Sequence, residues 1–312
     1  MDLFTHLVFG ALMYNLFLKD ITYLYVLYAV IFSILPDLDV FITPLKRVFK
    51  TNYLEHRSGS HSYFIGLIVS GIIGGITSII NSQPFLILWL IGMIFYGLHV
   101  SLDLLTTTEI PCFYPFSKKE YCYYVEKAGS SFTLLTSWIF ITSLIGFNYI
   151  FLSLTVLMLM ANIYTFFTLS YYLYRIITKT WISSHLKENQ KYFPGILPFN
   201  YIIFEKELID NNIILRIEKR THFSEPKLLF NNKTSLTSQE MDFFKEGMER
   251  CMKIYYYAKW TVLPIFLRDD GLFSIRFFFL EPMVRLKAMY IQYNFDVNTS
   301  EIIKKNRSYG HI

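Results

Sequence analysis

Pairs of histidine and aspartate at helical spacing are the most chemically informative feature of this sequence. Asp2 and His6 are four residues apart, and so are His99 and Asp103. Residues i and i+4 lie on the same face of an α-helix, so each pair can direct two ligand atoms toward one point. The segments PDLD and HRSGSHS supply the other candidates: Asp37, Asp39, His56, Arg57, His61 and Ser62.

This combination of residue types predicts a metal site. Imidazole together with carboxylate suits zinc, manganese or iron, whereas an all-carboxylate set would favour magnesium or calcium. The three cysteines form no CxxC motif, which argues against a thiolate zinc site. We expect a divalent ion, zinc or manganese, in a number that the sequence leaves open. The predicted ligands are His6, Asp37, Asp39, His61, His99 and Asp103.

Two further residues are candidates for catalysis beside the metal. Arg57 could clamp a phosphate or stabilise a developing negative charge. His56 is a candidate catalytic group, and His56 and Asp2 could also be additional ligands or could orient the ligands. An ion held by such residues lowers the pKa of bound water and makes hydroxide available near neutral pH.

Each candidate also has a structural alternative. Asp37 and Asp39 follow Pro36 and could simply form a turn. Ser62 has the character of a helix N-cap. Arg57 could contact lipid headgroups, and the pair on the fourth helix could serve helix packing alone. These alternatives do not explain why all the candidates occur at helix ends on one predicted side of a membrane.

The hydropathy pattern predicts the elements that carry these residues. The chain has 312 residues, of which 53% are hydrophobic and 17% charged. Residues 62–80 and 84–102 carry no charge, and each is long enough to cross ~30 Å of hydrocarbon. Leu7–Leu18 with Tyr23–Leu35, and Phe132–Tyr174 with a break at Gly146-Phe147-Asn148, predict two further helical hairpins.

The second half of the chain has a different character. Up to residue 170 there are 8 Lys and Arg against 9 Asp and Glu, and from residue 171 onward 21 against 15. The period-two alternation of NYIIFEKEL and NIILRIEKR predicts two strands, and Ser238–Lys259 is predicted to form an amphipathic helix. Three more strands are predicted at Trp260–Leu267, Phe273–Leu280 and Lys287–Phe295. The predicted fold is mainly α: a polytopic transmembrane bundle of about five or six helices, followed by a small soluble α+β domain. The predicted domains are residues 1–175 and 176–312.

Charge also predicts orientation and partners. The loops on the side of the His and Asp residues hold most of the loop Lys and Arg, which places that side and the C-terminal domain in the cytoplasm of a multi-pass inner (plasma) membrane protein. The basic C-terminal half suits contact with membrane lipids. Nucleic acid is not expected as a partner, because acidic residues interleave with the basic ones and no binding motif occurs. Protein partners are left open.

The motifs together resemble a known family. It is the YdjM family, described as LexA-binding, inner-membrane-associated, membrane-bound metal-dependent hydrolases, and the likeness covers residues 1 to about 175. A distant similarity extends to the zinc-dependent phospholipase C and single-strand nuclease superfamily. The segments that carry the resemblance are Asp2-x3-His6-x3-Gly10, Leu35-Pro36-Asp37-Leu38-Asp39, His56-Arg57-x3-His61-Ser62, Leu98-His99-x3-Asp103 and Pro115-Phe116-Ser117.

The resemblance implies metal-dependent hydrolysis of a phosphoester or lipid-related substrate, including small molecules. One departure is Thr106-Thr107-Thr108-Glu109, where relatives often have Asn and Gly, so that loop receives no substrate role. The alternative from another class is a non-catalytic transporter or scaffold with a structural His/Asp cluster. A transporter would be expected to place polar residues near mid-membrane at interrupted helices, whereas here they gather at helix ends.

Overall fold

The chain folds into two compact units, which are described separately. The structure is a computed structural model that describes residues 3–17, 23–41, 59–151, 154–254, 260–284 and 286–312. The first unit is Met1–Thr178 and the second is Lys179–Ile312.

The first part of the chain is helical. Among the residues that the structure describes, three segments are long and apolar enough to cross a membrane: Tyr23–Phe41, Tyr63–Asn81 and Phe85–Leu104. The predicted total of five or six spans stays a prediction. The helices are α1 (Leu3–Phe17), α2 (Tyr23–Ile34), a 3-10 helix (Leu35–Phe41), α3 (Tyr63–Asn81), α4 (Phe85–Leu104), α5 (Ser131–Phe151) and α6 (Leu154–Ser183).

The predicted break at Gly146-Phe147-Asn148 is wrong. Helix α5 continues through these residues to Phe151. Gly146 has open space around its backbone, with no atom within 4 Å of a Cβ added there. A single glycine costs a helix only about 1 kcal/mol, and the surrounding apolar sequence outweighs that preference.

Small residues allow the central helices to approach closely. A Cβ on Gly66 of α3 would lie 2.3 Å from the ring of Tyr96 on α4. A Cβ on Gly92 of α4 would lie 2.8 Å from Ser70 of α3 and 3.2 Å from Phe32 of α2. Such contacts between small residues and a neighbouring helix are typical of helix packing in membranes. They hold α2, α3 and α4 together and so bring their polar ends into one region.

The segment between α4 and α5 folds back over the C-terminal end of α4. The backbone amide of Tyr123 donates to the carbonyl of Leu104 at 2.8 Å, and the amides of Val125 and Glu126 donate to Leu105 at 2.8 and 2.9 Å. Ile110 and Tyr121 exchange two further backbone hydrogen bonds of 3.0 Å. This segment therefore acts as a small irregular ribbon that backs the last turn of α4.

Within its described residues, the second unit contains two four-stranded antiparallel sheets and one complete helix. Their strands pair in sequence order, β1-β2-β3-β4 and β5-β6-β7-β8. Between the sheets in sequence is α7 (Ser238–Met252), which begins with a capping box between Thr237 and Glu240. The strands are β1 (Gln190–Pro194), β2 (Asn200–Ile209), β3 (Asn212–Thr221), β4 (Lys227–Ser235), β5 (Val262–Asp269), β6 (Leu272–Phe279), β7 (Lys287–Asp296) and β8 (Ile302–His311).

The predicted helical part followed by an α+β part is thus present in the structure. The structure adds β1, β4 and β8, which the sequence did not predict. The helix predicted at Ser238–Lys259 is shorter, since α7 ends at Met252, and residues 255–259 lie outside the described residues. Phe243 and Phe244 of α7 contact the aromatic residues of the second sheet, with Phe243 stacked on Phe295 at 4.8 Å.

Candidate metal centre

The last turns of α4 supply two buried polar residues. His99 and Asp103 are each 1% exposed. The Nδ1 atom of His99 lies 2.7 Å from the carbonyl oxygen of Ser33 on α2. A carbonyl oxygen only accepts, so Nδ1 carries the hydrogen and the lone pair of the neutral ring is on Nε2. His99 therefore directs a potential metal-binding atom away from α2.

His61 is held just before α3. Ser62 caps α3 by accepting from the amide of Phe64 at 3.2 Å, and its own hydroxyl donates to the carbonyl of Tyr114. The hydroxyl of Tyr96 donates to the carbonyl of Ser60. With both neighbours fixed in this way, the His61 ring is fully buried. The N-cap role expected for Ser62 is therefore present, and it serves to place His61.

The 3-10 helix supplies two carboxylates that approach opposite sides of the His61 ring. Asp37 Oδ1 lies 3.5 Å from His61 Nε2, whereas Asp39 Oδ2 lies 3.6 Å from His61 Nδ1. Ser60 links this second side, because its hydroxyl donates to Asp39 and lies 3.1 Å from His61 Nδ1. Asp39 thus contacts the nitrogen that faces away from Asp37.

Four of the predicted ligands converge on one point. Ligand atoms of Asp37, His61, His99 and Asp103 all lie within 4.8 Å of one another, and all four residues are buried. The two Nε2 atoms are 3.3 Å apart, and Asp103 Oδ2 is 3.3 Å from His61 Nε2. Two imidazole nitrogens and two carboxylates form a donor set suited to a divalent metal ion.

The protonation of the rings supports this fit. The carbonyl of Ser33 contacts Nδ1 of His99, whereas Ser60 and Asp39 contact Nδ1 of His61. If both rings are neutral, the lone pairs on their Nε2 atoms therefore face each other and the two carboxylates. A cation between them removes that repulsion. Burial lowers the pKa of His61, but Asp103 and Asp37 outweigh burial, so its pKa is raised above the ordinary value of 6.5. A proton and a metal ion therefore compete for the same position.

His6 is adjacent to this group but outside the four. Its Nε2 lies 3.2 Å from Asp103 Oδ1, and its ring stacks on His99 with centroids 3.8 Å apart. Its Nδ1 is buried and has no hydrogen-bond partner within the described part of the chain. Asp103 thus has one oxygen directed toward His6 and the other toward His61.

Three predicted site residues have no described position. Asp2, His56 and Arg57 lie outside the described residues. Conversely, sequence reasoning missed Ser33, Ser60 and Tyr96 as residues that position the ligands. Ser33 contacts His99 through its backbone carbonyl, which the type of side chain does not predict. Ser60 could have been found, because it lies within the HRSGSHS motif that was already singled out.

Replacing Asp39 tests whether it orients His61 or binds the ion itself. We expect Asp39→Asn to lower metal affinity by about 10–100-fold, the range for groups that orient a ligand. Asp37→Asn should lower it further, because Asp37 contributes one of the converging oxygen atoms. Titration of both variants with Zn²⁺ or Mn²⁺ measures the difference. Equal losses in the two variants would contradict the separate roles.

The fold and the cluster define a class: a membrane protein with a buried His/Asp centre fit for a metal ion. The sequence model of the family described as YdjM inner membrane protein matches residues 1–182. The chain therefore belongs to that family, as the motifs indicated, and the protein is a membrane protein. The comparison with curated proteins gives no match, and neither does the comparison with solved structures.

Proposed function

We propose that the protein is a membrane-bound metal-dependent hydrolase. Two imidazole Nε2 atoms and two carboxylates converge in a buried cluster, which supports this proposal. Asp37, His61, His99 and Asp103 would hold a divalent ion, with zinc or manganese preferred for this ligand set. His6 is either a further ligand or a group that orients Asp103.

The residues around the ion have defined tasks. A divalent ion held by these residues would make hydroxide available near neutral pH. Ser33 and Asp39 fix the orientation of the two imidazoles, since each contacts the nitrogen opposite the cluster. Arg57, four residues before His61 in the sequence, is proposed to stabilise negative charge that develops on the substrate. His56 is proposed as a second catalytic group beside it.

We propose a phosphoester or lipid-related substrate. His61 lies just before the apolar segment Tyr63–Asn81. Asp37 lies near the end of Tyr23–Phe41, and both His99 and Asp103 lie near the end of Phe85–Leu104. A site at helix ends is suited to a headgroup at the membrane surface. Hydrolysis of lipid headgroups or of small phosphoesters would both use the same metal chemistry.

The activity is tested on purified protein in detergent. We expect release of p-nitrophenol from bis(p-nitrophenyl) phosphate, or of headgroup from phospholipid micelles, when zinc or manganese is supplied. His99→Ala should abolish the release, and the matched control His185→Ala should retain it, because His185 is exposed and contacts Trp181 and Ser184 near the C-terminal end of α6. Hydrolysis that persists in His99→Ala or in chelator would exclude this site as its source. Failure of metal-loaded wild type on both substrates would count against the proposed substrate class.

We also propose that the helices cross the membrane several times, with the cluster and the C-terminal unit in the cytoplasm. The excess of loop Lys and Arg on that side supports this orientation. A green fluorescent protein fused after Ile312 should fluoresce, and alkaline phosphatase fused there should be inactive. Active phosphatase would reverse the proposed orientation.

A further inference from the structure

A buried ion pair lies in the same unit as the metal cluster but outside it. Glu126 and Arg175 are both 0% exposed. Arg175 binds the carboxylate at two points, with Nη2 2.9 Å from Oε1 and Nε 3.1 Å from Oε2. The hydroxyl of Tyr171 donates to the same carboxylate, and the guanidinium lies 5.6 Å from the Tyr171 ring centroid.

We propose that Glu126 and Arg175 are positioning residues that set the geometry of the metal centre through the end of α4. The inference rests on the proposed metal function. The pair would act on the position of Asp103 through the intervening backbone, without direct contact between Arg175 and Asp103.

The backbone connects the pair to the cluster over a few hydrogen bonds. The amide of Glu126 donates to the carbonyl of Leu105 at 2.9 Å, and Leu105 is two residues after Asp103. Thr106 donates to the carbonyl of Asp103 twice, from its amide at 3.0 Å and from its hydroxyl at 2.8 Å. Arg175 belongs to α6, so the pair ties the ribbon behind Asp103 to a separate helix.

A contribution to folding stability does not by itself explain why a charged pair is buried at this position. Desolvating two charges is costly, and apolar residues of similar volume often replace a buried ion pair with no loss of stability. A bidentate Arg–carboxylate contact does have one property that apolar packing lacks, since it specifies both distance and angle. Asp103 approaches His6 and His61 at 3.2 and 3.3 Å, so a small shift of α4 would disturb both contacts.

The experiment compares variants of the full-length protein in detergent. Glu126→Leu/Arg175→Met removes both charges, and Arg175→Lys keeps the charge but loses the bidentate contact. We expect the double variant to bind Zn²⁺ about 10–100-fold more weakly than wild type, as found for groups that orient metal ligands. Its metal-free melting temperature should stay near that of wild type, and Arg175→Lys should recover part of the affinity. Hydrogen exchange at amides 123–126 should accelerate in the double variant.

Controls separate the outcomes. Arg268→Met removes an arginine that is paired with Glu240 in the second unit, and it should leave metal affinity unchanged. Unchanged affinity in a folded double variant would overturn the positioning role while leaving the metal site intact. Absence of Zn²⁺ binding by wild type would instead refute the proposed metal function. If the double variant fails to fold, Arg175→Lys tests the positioning role instead. A Zn²⁺ affinity of Arg175→Lys equal to that of wild type would also overturn that role.

Discussion

Replacing Asp103 with asparagine is expected to abolish tight metal binding. Asp103 contacts both His6 and His61 through separate carboxylate oxygens, at 3.2 and 3.3 Å. Asparagine keeps the shape but removes the negative charge that a divalent ion requires. The loss of affinity should exceed the roughly 100-fold upper range for orienting groups, because a direct ligand is changed.

Titration with Zn²⁺ and Mn²⁺ measures this loss, with circular dichroism to verify helix content. Asp242→Asn is the matched control, since its side chain is 78% exposed on α7 and pairs with the exposed Lys245. The control should bind as wild type does. An Asp103→Asn protein that binds zinc with nearly native affinity would remove Asp103 from the ligand set.

Adding a methyl group at Gly10 is expected to damage both stability and metal binding. A Cβ at this position would lie 2.0 Å from Ser33 Oγ and 2.6 Å from Ser33 Cβ, so α1 and α2 must separate. Overpacking of this kind costs about 1–3 kcal/mol. The same movement would displace His6 on α1 and the Ser33 carbonyl that holds His99. Thermal unfolding and zinc titration of Gly10→Ala measure the two effects.

A second substitution tests the cause. Ser33→Gly removes both clashing atoms but keeps the carbonyl that binds His99, so Gly10→Ala/Ser33→Gly should recover stability relative to Gly10→Ala. Gly146→Ala is the control on α5, where a Cβ meets no atom within 4 Å, and it should be neutral or slightly stabilising. A Gly10→Ala protein as stable as wild type would show that α1 and α2 are not packed closely here.

Much of the site was predictable because metal ligands obey simple spacing rules. The i,i+4 relation of His99 and Asp103 and the hydropathy of residues 84–102 together placed both residues at one helix end. The PDLD and HRSGSHS segments could be assigned to the same side of a membrane for the same reason. Family membership over residues 1–182 agrees with the motifs from which it was predicted.

Other features depend on tertiary contacts that spacing does not encode. Asp37 and Asp39 are equivalent in sequence, yet they approach opposite nitrogens of His61, because the 3-10 helix turns their side chains in different directions. Glu126 and Arg175 are 49 residues apart, and nothing in either local sequence links them.

The missed strands illustrate the same limit in the second unit. KLLFNNKTS and IIKKNRSYGH form the edge strands β4 and β8. Edge strands are largely solvated on both faces and often carry lysine, so they lack the period-two alternation of apolar residues that predicts a strand. Pairing with β3 and β7 supplies the stability that their own sequences do not indicate.

Elemental analysis of the purified protein would detect a metal ion held by Asp37, His61, His99 and Asp103. Wild type would be purified in detergent without chelator and measured before and after incubation with Zn²⁺ or Mn²⁺, beside His61→Ala and the control His185→Ala. This ligand set predicts bound metal in wild type and His185→Ala and its loss in His61→Ala. Wild-type protein free of metal after reconstitution, or metal retained equally in all three proteins, would contradict it.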